Sequence, residues 1–280
     1  MNTDLEDIVN GLGKHFKSLD VDFFIVGAKA RDIISKESGL ELSRRKTSDV
    51  DFGLFVDSWD TLDAMRELFR NDENIELNPD KKNKVRYYYK GTPFDLVPFG
   101  GIEDADGKVS WPPCYDTIMT VIGYEEALKS AKVIAIGDTE VKVVTPEMLV
   151  ALKIVSWDEN PARDRDAQDI NYIMENYENI DADVENCLFD HYLDILDRFE
   201  HDHHLSSLAI MGIRIARFAS EEHIDLIKNV LNDSDQREKL ARKMVSFNVV
   251  ERETQVERRS SWVDALIYGM NYERDQIIYR

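Results

Sequence analysis

Asp49 and Asp51 stand two residues apart in TSDVDFGLFV, and Asp95 lies inside the apolar run FDLVPF. Residues two apart on a β-strand project from the same face. Two carboxylates held that close repel each other unless a cation lies between them. Hard oxygen donors at this spacing suit Mg²⁺. A solvent-facing strand edge carrying two ordinary acids is the alternative. Asp95 bears on that choice, because Phe94, Leu96, Val97 and Phe99 surround it. An acid in such a run is expensive to bury without a partner. Three carboxylates on adjacent strands can hold two divalent ions for in-line phosphoryl transfer. Upstream, the run FFIV closes on Gly27 and a helical pattern follows at once. A helix N-terminus there offers free backbone N–H groups to an anion.

The elements that must position these residues are readable in outline. Leu5, Ile8, Val9, Leu12 and Phe16 repeat at helical spacing, which predicts a helix over residues 3–17. Strands are expected at 23–26 and 50–56. Ser58 is placed to cap a helix that runs to Phe69. KVRYYYK and PFDLVPF flank Gly91-Thr92 and predict a hairpin. Tyr87–Tyr89 either stack a base or bury alternate rings in that hairpin. Residues 100–113 read as a loop. AKVIAI and EVKVV predict a second strand pair about Gly137-Asp138. Thr145 and Pro146 open a helix expected to reach Trp157. The remainder reads as helical, and HDHH at 201–204 as a polar loop. The expected class is α/β (α+β): a core over residues 1–145, then a helical C-terminal region over 146–280, with a possible further boundary near 180.

Composition narrows the field. The chain has 280 residues, 35 Lys and Arg against 55 Asp and Glu, and a formal net charge of −20. So strong an acidic balance weighs against an extended nucleic-acid surface, which needs clustered cations. Cys114 and Cys187 are too few and too far apart for a disulfide framework or a zinc site. No apolar run approaches a membrane span, and the N-terminal residues are acidic and amphipathic. A cytoplasmic protein with no membrane partner is expected.

VGAKARD, TSDVDFGLFV, FDLVPFGGIED and LKIVSWDENPARDRDAQDI, taken in this order, resemble the minimal nucleotidyltransferase superfamily. More narrowly they are similar to the AbiEii/AbiGii-toxin-like nucleotidyltransferases, over about residues 20–175. The resemblance implies a nucleotidyltransferase-like mixed sheet flanked by helices. It also implies a metal-dependent, toxin-like transfer of a nucleoside monophosphate from a nucleoside triphosphate to an acceptor hydroxyl. Asp49, Asp51 and Asp95 would be the catalytic and Mg²⁺- or Mn²⁺-binding acids, with Asp95 able to assist deprotonation of the acceptor. Gly27 would let the backbone approach the triphosphate. Ala28 stands where the family commonly has Ser, and Lys29 and Arg31 are nearby cations that could compensate. Lys153, Arg165, Asp166 and Asp169 would line the nucleotide cleft. For Lys153, which sits in the apolar stretch MLVALKIV, snorkelling to solvent is the alternative. Either way, removing its charge is expected to leave stability unchanged or slightly higher. The acceptor stays open among an RNA end, a protein hydroxyl and a small molecule. A relative that binds a nucleotide or a partner without turnover is the competing reading, favoured by Ala28.

Overall fold

The structure is a computed structural model that describes residues 5–41, 47–80, 84–112, 115–160, 164–247 and 249–272. Cys114, the basic residues Arg44–Lys46 and part of 158–164, which the sequence reads as a break between two helices, lie outside the described residues. The chain divides into two compact units. One holds Met1–Ile33 with Arg44–Thr145, the other Ile34–Ser43 with Pro146–Arg280.

The first unit is built on a mixed sheet. In chain order its elements are α1 (Leu5–Ser18), β1 (Phe23–Val26), α2 (Gly27–Glu37, whose last turn counts with the second unit), β2 (Val50–Val56), α3 (Trp59–Arg70), β3 (Ile75–Leu77), β4 (Arg86–Tyr89), β5 (Thr92–Gly100), β6 (Lys108–Ser110), β7 (Ile118–Thr120), α4 (Tyr124–Ser130), β8 (Lys132–Ile136) and β9 (Thr139–Val143). Among the described residues seven strands join in the order β3-β4-β5-β2-β1-β9-β8. β2 runs parallel to β5 and antiparallel to β1, and β9 runs parallel to β1.

Strand alternation splits the side chains between two faces. On one face Phe52 and Phe94 meet Phe16 of α1 and Phe69 of α3. Tyr87 stacks on Phe94 there, and Tyr87 and Tyr89 are both buried. Burying alternate rings is therefore what the hairpin does with these tyrosines. On the other face Phe24 packs edge-on against Phe99 and against Tyr124 of α4, and Phe99 lies tilted against Tyr124. Ser58 caps α3 by accepting from the Thr61 N–H, as the sequence predicts.

Several short elements escape prediction. β6 lies within residues 100–113, and β3 and α4 are also unpredicted. Strands of three residues show too few alternations to reveal a period. The hairpin turn is Lys90-Gly91, one residue earlier than expected, with both residues at positive φ (48° and 79°). That is the type I′ geometry that matches strand twist.

The second unit holds α5 (Pro146–Glu159), α6 (Asp164–Glu175), α7 (Tyr177–Ile180), α8 (Val184–His191), α9 (Leu193–Arg198), α10 (His203–Phe218), α11 (Glu221–Asn232), α12 (Ser234–Met244) and α13 (Arg252–Met270). α5 is buried on all sides from Pro146 to Val155, as a helix apolar around its whole circumference must be. It packs against α6, α10 and α11. Buried Glu147 is satisfied by Tyr177, whose hydroxyl donates at 2.5 Å, and by Arg214 at 3.3 Å. Arg214 also pairs with Asp181. HDHH is only half a loop. Asp202 caps α10 by accepting from the Leu205 N–H, and His203 and His204 form its first turn.

α10 and α13 cross at glycines. A Cβ on Gly212 would lie 2.2 Å from the Leu266 carbonyl oxygen, and one on Gly269 would lie 1.9 Å from that of Ala209. Both obstacles are backbone, so neither can swing aside. Gly269→Ala should therefore cost about 1–3 kcal/mol, the scale of core overpacking. Urea unfolding checks this, and an unchanged midpoint would mean that the helices can separate without loss.

Candidate active site

Asp51 lies on β2 opposite Val26, the last residue of β1, and directly beside Asp95 on β5. Gly27 follows Val26 at once, with φ +72°, and opens α2. A Cβ at Gly27 would lie 1.9 Å from Asp51 Oδ2. The Asp51 carboxylate therefore rests against the Gly27 backbone, a place only glycine leaves open. α2 carries no acidic side chain in its first turn, so its N-terminal N–H groups remain suited to an anion. Asp49 immediately precedes β2 and is half-buried. Its Oδ1 accepts from the Thr47 hydroxyl at 2.7 Å.

Sequence reasoning missed Arg86. It is the first residue of β4, directly across the antiparallel ladder from Asp95, so the two side chains share a face. Its Nε donates to Asp95 Oδ1 at 2.8 Å and its Nη2 to Asp95 Oδ2 at 2.8 Å. The same Nη2 donates to Asp49 Oδ2 at 2.9 Å. A planar guanidinium suits this two-pronged grip on a carboxylate. Burial alone would raise the Asp49 carboxyl. The Thr47 hydroxyl, the Asp49 backbone and the Arg86 charge outweigh it and hold the group below its usual range. The Arg86 guanidinium is shifted upward, first by its hydrogen bond to Asp95. A signal was available: with Gly91-Thr92 as the turn Tyr88 would oppose Asp95, whereas Lys90-Gly91 puts Arg86 there.

The remaining expected residues fall into two groups. Ala28 and Arg31 are buried on α2, and Arg31 donates to Asp32 Oδ1 through Nε and Nη2 at 3.1 and 2.5 Å. Lys29 is half-buried, and Arg165 is exposed on α6. Within the helical unit Lys153 lies 3.0 Å from Asp166 and 2.7 Å from Asp169. All three are buried, with Asp169 fully enclosed. Burial by itself would lower the Lys153 ammonium, but Asp169 and then Asp166 raise it above the ordinary value. Lys153 thus does not snorkel: its ammonium stays inside and ties α5 to α6.

The acids have the right chemistry for a divalent ion. Among the described residues, no three carboxylate, imidazole or thiol groups converge as a ready-made metal cage. Mg²⁺ seldom needs one, since it is commonly held by one or two carboxylates, waters and substrate phosphates. Asp49 and Asp51 fit that role.

The family model described as nucleotidyl transferase AbiEii toxin, type IV toxin–antitoxin system, matches residues 17–257. The chain belongs to that family. This AbiEii-family chain is a nucleotidyltransferase. Distant likenesses extend to solved structures. An antigenic nucleotidyltransferase-like protein from Paracoccidioides brasiliensis is 20% identical, with 85% of this chain and 92% of that one covered and a TM-score of 0.43. The antibiotic-resistance factor ANT(2'')-Ia is 14% identical, with 72% and 99% covered and a TM-score of 0.37. A CCA-adding enzyme in complex with ATP is 14% identical, with 98% and 68% covered and a TM-score of 0.27. No curated protein matches the chain.

Two outcomes follow. Gly27→Ala should cost about 1–2 kcal/mol for its left-handed backbone alone. It should also lower transfer sharply, because the added methyl displaces Asp51; wild-type stability and activity together would disprove the close approach. Lys153→Met strands two buried carboxylates and should cost about 3–5 kcal/mol, reversing the expectation from sequence. Chemical denaturation measures it, and a stability equal to wild type would show that the triad contributes nothing.

Proposed function

We propose that this nucleotidyltransferase passes a nucleoside monophosphate from a nucleoside triphosphate to an acceptor hydroxyl. The observation that carries the proposal is Asp51 abreast of Asp95 on the parallel ladder, with Asp51 seated against the glycine that opens α2. The triphosphate would lie at the start of α2, where Gly27 admits close approach of the backbone. The acceptor oxygen bonds to the α-phosphorus, the bond to the pyrophosphate oxygen breaks, and the hydroxyl proton leaves to solvent. Asp49 and Asp51 would hold Mg²⁺ or Mn²⁺, which when bound neutralises charge on the reacting phosphate. Asp95 lines the same face.

Lys153 and Asp166, nucleotide contacts implied by the resemblance, are paired with each other, and Lys153 also pairs with Asp169. The proposal therefore rests on Gly27, Asp49, Asp51 and Asp95. No helix among the described residues is long and apolar enough to cross a membrane, and the cytoplasm is the expected place for a consumer of nucleoside triphosphates.

A binder without turnover is the second reading, and Ala28 is the observation that favours it. Incubation with α-labelled nucleoside triphosphates, Mg²⁺ or Mn²⁺ and a cell extract separates the two. Transfer of label to a product, abolished in a folded Asp51→Asn variant, is expected. Nucleotide-dependent thermal stabilisation with no labelled product would favour the binder, because a ligand of the native state raises its stability.

A further inference from the structure

We propose that Arg86 is a built-in cation of the acid cluster, standing where a second divalent ion would otherwise be held, so that the site takes one divalent ion. The inference rests on the proposed metal role of Asp49 and Asp51, and adds a positioning residue to it.

The geometry is specific. Arg86 engages both oxygens of Asp95 and one oxygen of Asp49 at 2.8–2.9 Å. A cation spanning two carboxylates in this way does the electrostatic work of a bridging metal. The bidentate fork also fixes the plane of the Asp95 carboxylate, which a spherical ion would not do. Three carboxylates and one guanidinium leave a net charge that a single divalent ion neutralises. β4 and β5 are joined by a tight type I′ turn, so their register holds Arg86 opposite Asp95. Arg86 and Asp49 are each about one-third exposed, so the cluster remains open to solvent. An incoming ion would therefore meet a site already partly neutralised, and Arg86 must weaken its binding.

That last consequence has a sign that damage to the fold would not produce. Nucleotide-free protein is titrated with Mn²⁺ and the free ion is read by electron paramagnetic resonance. Wild type, Arg86→Gln, Arg86→Lys and Asp51→Asn are compared. Wild type should bind one Mn²⁺ at the acid cluster, seen as the binding lost in Asp51→Asn. Arg86→Gln should bind Mn²⁺ at least about tenfold tighter or take up a second ion, as removal of a nearby positive charge requires. Arg86→Lys keeps a charge but cannot fork, and should fall between the two; it serves alone if Arg86→Gln does not fold. Unchanged or weaker Mn²⁺ binding in both Arg86 variants, with Asp51→Asn still defective, overturns the inference and leaves the metal site standing. Mn²⁺ binding that none of the substitutions alters overturns both, as does absence of binding throughout, both without and with a non-hydrolysable nucleoside triphosphate.

Discussion

Two carboxylates set side by side on the ladder of a largely buried sheet repel each other, and the strands around Asp51 and Asp95 must offset that repulsion. The parallel register of β2 on β5 makes the juxtaposition unavoidable. β4 then brings Arg86 across from Asp95, and β1 ends in a glycine whose missing side chain leaves space for Asp51. Strand order, turn type and the left-handed conformation of Gly27 together accommodate these two acids side by side. The aromatic packing on both faces supplies the rigidity. Phe52 and Phe94 alternate with Asp51 and Asp95, so the register that buries the rings is the register that aligns the acids.

Much of this was legible in the chain. Asp49, Asp51, Asp95 and Gly27 stand out because acids and glycine interrupt apolar runs, and the helix capped by Ser58 has both a start signal and a buried stripe. Arg86 did not stand out. A single cation in KVRYYYK looks like any strand-edge residue until the hairpin is registered, and a turn misplaced by one residue pairs Asp95 with Tyr88 instead. Short elements were also lost, because three residues such as Lys108–Ser110 contain no measurable period. The stability expectation for Lys153 fails for a different reason. Its flanking residues show that its helix is buried, but the compensating acids lie 13 and 16 positions further on, across a helix–helix contact that local pattern cannot specify.

The two ionic clusters solve one problem in different surroundings, and exposure decides what each can do. Lys153, Asp166 and Asp169 are enclosed, so separating them would strand charge in a low-dielectric interior. Such a triad is suited to fastening helices. Arg86 and Asp49 are about one-third exposed. Water screens them, and the cost of rearranging their hydrogen bonds is correspondingly small. An ion pair that can be opened cheaply yields to a ligand more readily than a sealed one. The partly open cluster beside the start of α2 is therefore better placed than the sealed triad to admit the proposed divalent ion without disturbing the core.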